Sequence, residues 1–141
     1  SVAGRDKSTK KYKHLAEKLG IASRVRFCGL CDDVTTLYQI ADALVIPSLY
    51  DPFANVTVEA LAMGLYVVTS QHNGGSEIIT EENGAIIDDI WSPKSVCQAL
   101  QRAIHHRKTL PSSHVIRETV QHLDFSSQLH HIVTQTIEGV S

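Results

Sequence analysis

The chain has 141 residues, of which 43% are hydrophobic and 20% are charged, and its formal net charge is −2. This length suits one domain with a real core, and the composition is that of an ordinary soluble globular protein. The near-neutral charge does not favour a nucleic-acid partner, no apolar stretch reaches membrane-spanning length, and three cysteines are too few for a disulfide framework.

Positive charge is concentrated near the beginning of the chain. Eight of the 13 Lys and Arg fall within residues 5–26, against two acids, Asp6 and Glu17. A solvated helix face is the simpler interpretation, and an edge that faces an anion is the alternative. The chain opens on Ser rather than Met, so we expect a piece of a longer protein.

The first third of the chain predicts strand, helix and strand. "SVAG" is predicted to end a strand at Gly4, and residues 8–20 are predicted to form a helix that Gly20 ends. "RVRF", residues 24–27, is predicted to be a short strand. The apolar face of the predicted helix comprises Tyr12, Leu15, Ala16 and Leu19.

The middle of the chain repeats this order. A helix is predicted within residues 34–43, capped by the pair Asp32-Asp33. "ALVIP", residues 43–47, is an uninterrupted apolar run, typical of a parallel strand covered on both faces. A helix over residues 55–63 follows and ends at Gly64. The predicted buried side of the helix within residues 34–43 is Val34, Leu37, Ile40 and Ala41.

Two further strands are predicted, "LYVVTS" at residues 65–70 and "GAIID" at 84–88, with a glycine turn and a short helix at 73–79 between them. Residues 92–104 begin with a Ser-Pro start signal and predict a helix. Residues 125–137 carry apolar side chains at helical spacing.

Strands and helices thus alternate about five times with short connections. This order predicts a Rossmann-like α/β fold, a parallel sheet with helices on both faces and a helical C-terminal tail. We expect one domain over residues 1–141, with an α/β core at 1–106 and a helical tail at 107–141. Ligands of such sheets bind at the carboxyl ends of the strands.

Two acids, Asp51 and Glu59, lie after the carboxyl end of strand 43–47. The helix that begins near Asn55 exposes unpaired N–H groups at its first turn, which attract anions and sugar oxygens. Glu59, little more than one turn in, can accept hydrogen bonds from a vicinal diol, and Asp51 can contact a second sugar. The simpler interpretation makes Asp51 a turn cap and Glu59 a surface residue.

The same stretch resembles the retaining glycosyltransferases of the GT-B fold, in the family often called GT4 or glycosyl transferases group 1. Their signature is a Glu, seven residues and a second Glu, embedded in a Pro-Ser strand end and followed by the motifs "EAMA-x-G-x-PVV" and "GG-x-x-E". The resemblance extends over roughly residues 2–106. The matching positions are Pro47-Ser48, Asp51, Phe53, Glu59 to Gly64, Val67-Val68 and Gly74-Gly75-Ser76-Glu77.

The resemblance implies that this chain is the C-terminal, nucleotide-sugar-binding half of such an enzyme. It implies that Glu59 holds the ribose hydroxyls and that Asp51 is the catalytic residue that holds the donor hexose, although Asp is one methylene shorter than the usual Glu. The other donor-binding residues it implies are Phe53, Ala54, Asn55, Gly29 and Leu30. Arg5 and Lys7 are candidates for contact with the phosphates.

The complete enzyme is expected to move a hexose from a nucleoside diphosphate sugar, with UDP as the expected nucleotide, to an acceptor hydroxyl with retention. Neither a metal nor a cofactor is expected. The cations that neutralise the diphosphate, and the acceptor-binding domain, would lie upstream, so the chain alone is expected to be inactive. A 2-epimerase or phosphorylase of the same architecture, or a non-catalytic nucleotide-sugar-binding module, are the alternatives.

The expected partners are a nucleotide-sugar donor and, through the missing domain, a saccharide or lipid-linked acceptor, with no nucleic acid. We expect a cytoplasmic location, and the full-length protein could sit peripherally at the inner face of a membrane.

Overall fold

The computed structural model describes residues 1–4, 8–31, 33–52 and 55–123. The chain divides into two compact units, one over Ser1–Leu37 and one that begins at Tyr38. The predicted helix at 125–137 lies outside the described residues.

The first unit contains a two-stranded parallel sheet and a helix. Strand β1, Val2–Ala3, pairs with strand β2, Phe27–Gly29, and helix α1, Thr9–Lys18, lies between them in the chain. Gly20 follows α1 with φ +68°, as expected of a glycine that ends a helix. The strand predicted at 24–27 is shifted, because Ala22–Arg24 forms a 3₁₀ turn instead.

The apolar face of α1 is only partly buried in this structure. Ala16 is buried, but three large side chains are about half-exposed: Tyr12, Leu15 and Leu19. The two strands of this unit have only two and three residues, so they offer little apolar surface to cover a ten-residue helix.

Helix α2, Thr35–Ile40, begins where predicted. The Asp33 carboxylate accepts hydrogen bonds from the Thr35 N–H at 2.9 Å and from the Thr36 hydroxyl at 3.0 Å, which confirms it as a cap. The buried residue of α2 is Tyr38, 7% exposed, and not Ile40, 75% exposed. Tyr38 lies four residues after Val34, so the two share a helical face. The predicted buried side included Leu37, the neighbour of Tyr38, and left Tyr38 out.

The second unit is built on a three-stranded parallel sheet. Its strands are β3, Ala43–Ile46, β4, Tyr66–Ser70, and β5, Gly84–Ile87, in the order β3-β4-β5. All five residues of β4 are buried. Because successive side chains of a strand point to opposite faces, this burial requires cover on both faces of the sheet.

Three helices surround this sheet: α3, Asn55–Ala62, α4, Pro93–His105, and α5, Leu110–Glu118. Helices α3 and α4 both pack on β4, and α5 packs on α3. The longest described helix, α4, has 13 residues, and no described helix is long and apolar enough to cross a membrane. The parallel, helix-covered sheet confirms the predicted Rossmann-like α/β class.

Strand β3 is less buried than its apolar sequence predicts. Val45 is 41% exposed, and the other β3 residues are half-buried. Strand β3 is an end strand of the three-stranded sheet, whereas β4 has a strand on each side. Its apolar run therefore predicted the strand correctly and its burial incorrectly.

Tyr66 ties β4 to β5, because its buried hydroxyl donates to the Gly84 carbonyl at 2.7 Å. Burial raises the pKa of Tyr66; the nearby Glu81 carboxylate raises it further, and Arg102 opposes the rise. Above a pH of about 10 the unfolded chain therefore loses this proton while the folded chain keeps it. The free energy of unfolding is expected to fall as pH rises through that range.

We expect Tyr66→Phe to lower the free energy of unfolding by about 1 kcal/mol at neutral pH, because one hydrogen bond is lost. We also expect it to make the fall between about pH 9 and 11 shallower. Urea unfolding across this range measures both effects. Tyr50→Phe is the control, since Tyr50 is 78% exposed, and an equal change in both variants would contradict the assignment.

Candidate functional site

The candidate site lies at the carboxyl edge of the second sheet. Because β3, β4 and β5 are parallel, the segments that follow them leave the sheet at the same edge. The segment after β3 carries Asp51 and leads into α3, and the segment after β4 carries Asn73 and its glycine pair.

Backbone hydrogen bonds join these two segments. The Asp51 N–H donates to the His72 carbonyl at 3.3 Å, and the Gly74 N–H donates to the Asp51 carbonyl at 2.7 Å, so Asp51 pairs with Asn73 as a parallel bridge. The Ser70 hydroxyl also donates to the Ser48 carbonyl. The half-buried Asp51 is therefore held by its main chain beyond the last residue of β3.

Each glycine of the pair Gly74-Gly75 fills a place that a larger residue could not. A Cβ on Gly74 would lie 2.7 Å from the Pro52 carbonyl oxygen, and one on Gly75 would lie 2.6 Å from the Thr57 hydroxyl of α3. Without side chains, the segment after β4 can approach both the Asp51 segment and the first turn of α3. The glycine turn predicted here is confirmed, with Asn73 as its cap through a 2.8 Å bond from the Gly75 N–H.

Two buried polar atoms near Gly75 are unsatisfied. The Thr57 hydroxyl and the Asn73 amide nitrogen have no hydrogen-bond partner within the part of the chain that the structure describes. Such groups are rare in protein interiors and mark this contact as the least satisfied polar part of the site.

Helix α3 carries Glu59 on an exposed face. Asn55, Val56, Glu59 and Ala62 are exposed, whereas Thr57, Ala60 and Leu61 are buried. Since residues three or four positions apart share a helix face, the Glu59 carboxylate lies on the same side as the first residues of α3. Glu59 points neither into the interior nor, among the described residues, to a lysine or arginine.

Tyr38 is a residue of this site that sequence reasoning missed. Its hydroxyl donates to the Glu59 carboxylate at 3.4 Å, and its ring is buried. Burial raises the pKa of Tyr38, and the negative charge of Glu59 raises it further. The available signal was the spacing of Tyr38 from Val34 and Ala41 on one helical face.

The other predicted site residues are placed as follows. Asn55 is the first residue of α3. Gly29 ends β2 with φ +71°, and Leu30 is exposed beside it, both in the first unit. Four predicted residues lie outside the described part of the chain: Arg5, Lys7, Phe53 and Ala54. In that part no three His, Cys, Asp or Glu side chains form a group able to hold a metal ion.

A parallel sheet whose carboxyl edge presents a helix N-terminus and two acids is typical of Rossmann-like domains that bind nucleotides and sugars. Residues 1–122 match the family model described as "Glycosyl transferases group 1", and the chain therefore belongs to that family of enzymes.

Two curated relatives illustrate the match. The lipopolysaccharide glucosyltransferase WaaG of Escherichia coli is 35% identical over 104 residues, which cover 73% of this chain and 28% of WaaG. An uncharacterized glycosyltransferase of Methanocaldococcus jannaschii is 35% identical over 109 residues, which cover 73% of this chain and 27% of that protein. This chain thus spans little more than a quarter of these relatives.

Solved structures agree on the fold. The crystal structure of WaaG aligns with a TM-score of 0.69 and 31% identity, over 86% of this chain and 32% of WaaG. Anabaena HepE in complex with UDP-glucose aligns with a TM-score of 0.69 and 21% identity, over 97% of this chain and 40% of HepE. These alignments confirm the predicted GT-B, Rossmann-like fold, and the likeness to HepE shows the fold alone.

Proposed function

We propose that this chain binds the nucleoside diphosphate sugar donor of a GT4-class glycosyltransferase at the carboxyl edge of β3 and β4. The observation that carries the proposal is the exposed Glu59 carboxylate, on the face of α3 that also presents Asn55. Glu59 would accept hydrogen bonds from the ribose hydroxyls. The first N–H groups of α3 would face the diphosphate, where the helix dipole favours negative charge.

Asp51 would contact the hexose of the donor. Its backbone is fixed by the bonds to His72 and Gly74. The Cα atom from which the carboxylate side chain extends is therefore held in place shortly before the start of α3. Charge-assisted bonds to sugar hydroxyls are among the stronger hydrogen bonds in proteins. The shorter side chain of Asp limits its reach, and we therefore assign it a smaller share of donor affinity than Glu59.

The whole protein would move the hexose to an acceptor hydroxyl with retention and without a metal. This chain spans little more than a quarter of its curated relatives, so the acceptor site and most of the diphosphate-neutralising cations would belong to the remainder. Such cations can contribute several kcal/mol to a transition state. We expect the 141-residue chain alone to bind donor without transferring sugar.

UDP is the nucleotide we favour, supported by the related fold of HepE, which was solved with UDP-glucose. A saccharide or lipid-linked acceptor would be held by the remainder of the protein. Cytoplasmic location, with or without contact at the inner face of a membrane, belongs to the same proposal.

Calorimetric titration of the chain with UDP, GDP and ADP, each with and without an attached glucose, tests the proposal. We expect saturable binding of at least one nucleoside diphosphate. Absence of binding for all three pairs would contradict it. With the full-length protein, analysis of the products separates sugar transfer from epimerisation or phosphorolysis.

We expect Asp51→Asn to weaken binding of the sugar nucleotide by about threefold to tenfold and to leave binding of the free nucleotide unchanged, because only the hexose loses a charged acceptor. Asp88→Asn is the control, since Asp88 is an exposed acid that follows β5 at the same edge of the sheet. Equal losses for both ligands would show that Asp51 supports the loop rather than the sugar.

A further inference from the structure

On the exposed face of α3, the Glu59 side chain contacts the buried Tyr38. The Tyr38 hydroxyl lies 3.4 Å from the Glu59 carboxylate, beyond the usual distance of about 2.5–3.0 Å for an O–H···O bond, so this hydrogen bond is weak. A carboxylate offers about four lone-pair positions. One bond from Tyr38 therefore leaves capacity for two more donors, such as the two hydroxyls of a ribose.

The main chain of Tyr38 is held by Lys108. The Lys108 ammonium donates to the Tyr38 carbonyl at 2.7 Å and to the Gln39 carbonyl at 3.5 Å, at the last turn of α2. The Lys108 N–H donates to the Asp42 carboxylate at 2.9 Å. Lys108, in the segment between α4 and α5, thereby holds the last turn of α2 and Asp42, which follows it.

Tyr38 acts as a neutral donor. Burial raises its pKa, and the adjacent charge of Glu59 raises it further. The hydroxyl thus keeps its proton at neutral pH and directs it at a charged acceptor. A glutamate side chain on an exposed helix face otherwise samples several rotamers, and their loss on ligand binding opposes affinity.

We propose that Tyr38 is a positioning residue, which holds the Glu59 carboxylate in the orientation that receives the ribose hydroxyls. This inference rests on the proposed donor-binding function. In this arrangement Tyr38 contributes to nucleotide affinity indirectly, through its hydrogen bond to Glu59.

The test measures UDP affinity of the 141-residue chain and its Tyr38→Phe variant by calorimetry. We expect Tyr38→Phe to weaken UDP binding by about twofold to threefold, the low end of the effect of one lost hydrogen bond, because this bond is long. With an analogue of UDP that lacks both ribose hydroxyls, the two chains should bind equally. A purely structural role would weaken both ligands to the same extent.

Tyr66→Phe is the matched control, because Tyr66 is also buried but donates to the Gly84 carbonyl. It should leave UDP affinity unchanged. In the Glu59→Gln background, Tyr38→Phe should have less effect than in the wild type. Unchanged UDP affinity in Tyr38→Phe, with wild-type binding intact, overturns this inference alone. A wild-type chain that binds no nucleoside diphosphate overturns the proposed function and this inference with it.

Discussion

Gly64→Ala is expected to lower the free energy of unfolding by about 2–5 kcal/mol, the largest effect on stability that we predict. Gly64 follows α3 with φ +73°, a left-handed conformation in which an alanine is strained. A Cβ there would also lie 2.6 Å from the Ser113 Cβ and 2.9 Å from the Ser113 Cα of α5. Stabilities of typical domains are about 5–15 kcal/mol, so the loss is a large part of the total.

Gly20→Ala separates the two causes of this loss. Gly20 ends α1 with φ +68°, but a Cβ there would have no atom of the described residues within 4 Å. It should therefore show only the backbone strain, about 1–2 kcal/mol. Urea unfolding of both variants gives the difference, which we attribute to the contact between Gly64 and α5. Equal losses in the two variants would show that α5 does not press on Gly64.

Ser113→Gly provides a second check on the same contact. It removes the Cβ and the hydroxyl, which donates to the Gly64 carbonyl at 3.3 Å. The substitution alone should destabilise the chain, through the lost hydrogen bond and a glycine inside a helix. Combined with Gly64→Ala, it should recover part of the loss, because the closest steric conflict is gone. Strict additivity of the two effects would contradict direct packing.

Those parts of the fold that depend on local chemistry could be predicted from the sequence. Strand β4 begins with an apolar run, Tyr66–Val68, Gly64 ends α3 through its positive φ, and Asp33 caps α2. The order of strands and helices along the chain then determines a parallel sheet. The helix end and the helix cap are each decided within a few neighbouring residues.

Features that depend on distant packing could not be predicted. The sequence pattern shows that α1 and α2 each have an apolar side, but the amount of surface that neighbours provide decides what is buried. Leu19 and Ile40 are exposed for this reason. The contact from Tyr38 to Glu59 joins residues 21 positions apart, so spacing within either helix could not reveal it.

The candidate acids illustrate the same division. Spacing placed Glu59 about one turn inside α3, and in the structure it lies there on an exposed face. The pairing of the Asp51 segment with Asn73 depends on two glycines whose Cβ atoms would meet Pro52 and Thr57. The glycine pair could be recognised in the sequence, but its close contacts with Pro52 and Thr57 could not.

Glu59→Gln is expected to weaken UDP binding by about tenfold to 100-fold, the largest effect on ligand affinity that we predict. Gln keeps the size and one oxygen acceptor of Glu but removes the charge that, in the proposed binding mode, strengthens bonds from the ribose hydroxyls. Hydrogen bonds to charged groups contribute about 1.5–3 kcal/mol, and this range corresponds to the expected loss. Calorimetric titration of both chains with UDP measures it.

The ribose hydroxyls identify the cause of that loss. With the UDP analogue that lacks them, Glu59→Gln and the wild type should bind with similar affinity, because in the proposed binding mode the phosphates contact α3 and not Glu59. Glu82→Gln, an exposed acid in the turn before β5, is the control for the change in overall charge. If Glu82→Gln weakened UDP as much as Glu59→Gln, long-range charge would explain both results. If the analogue lost affinity equally in Glu59→Gln, the carboxylate would support the fold of α3 rather than grip the nucleotide.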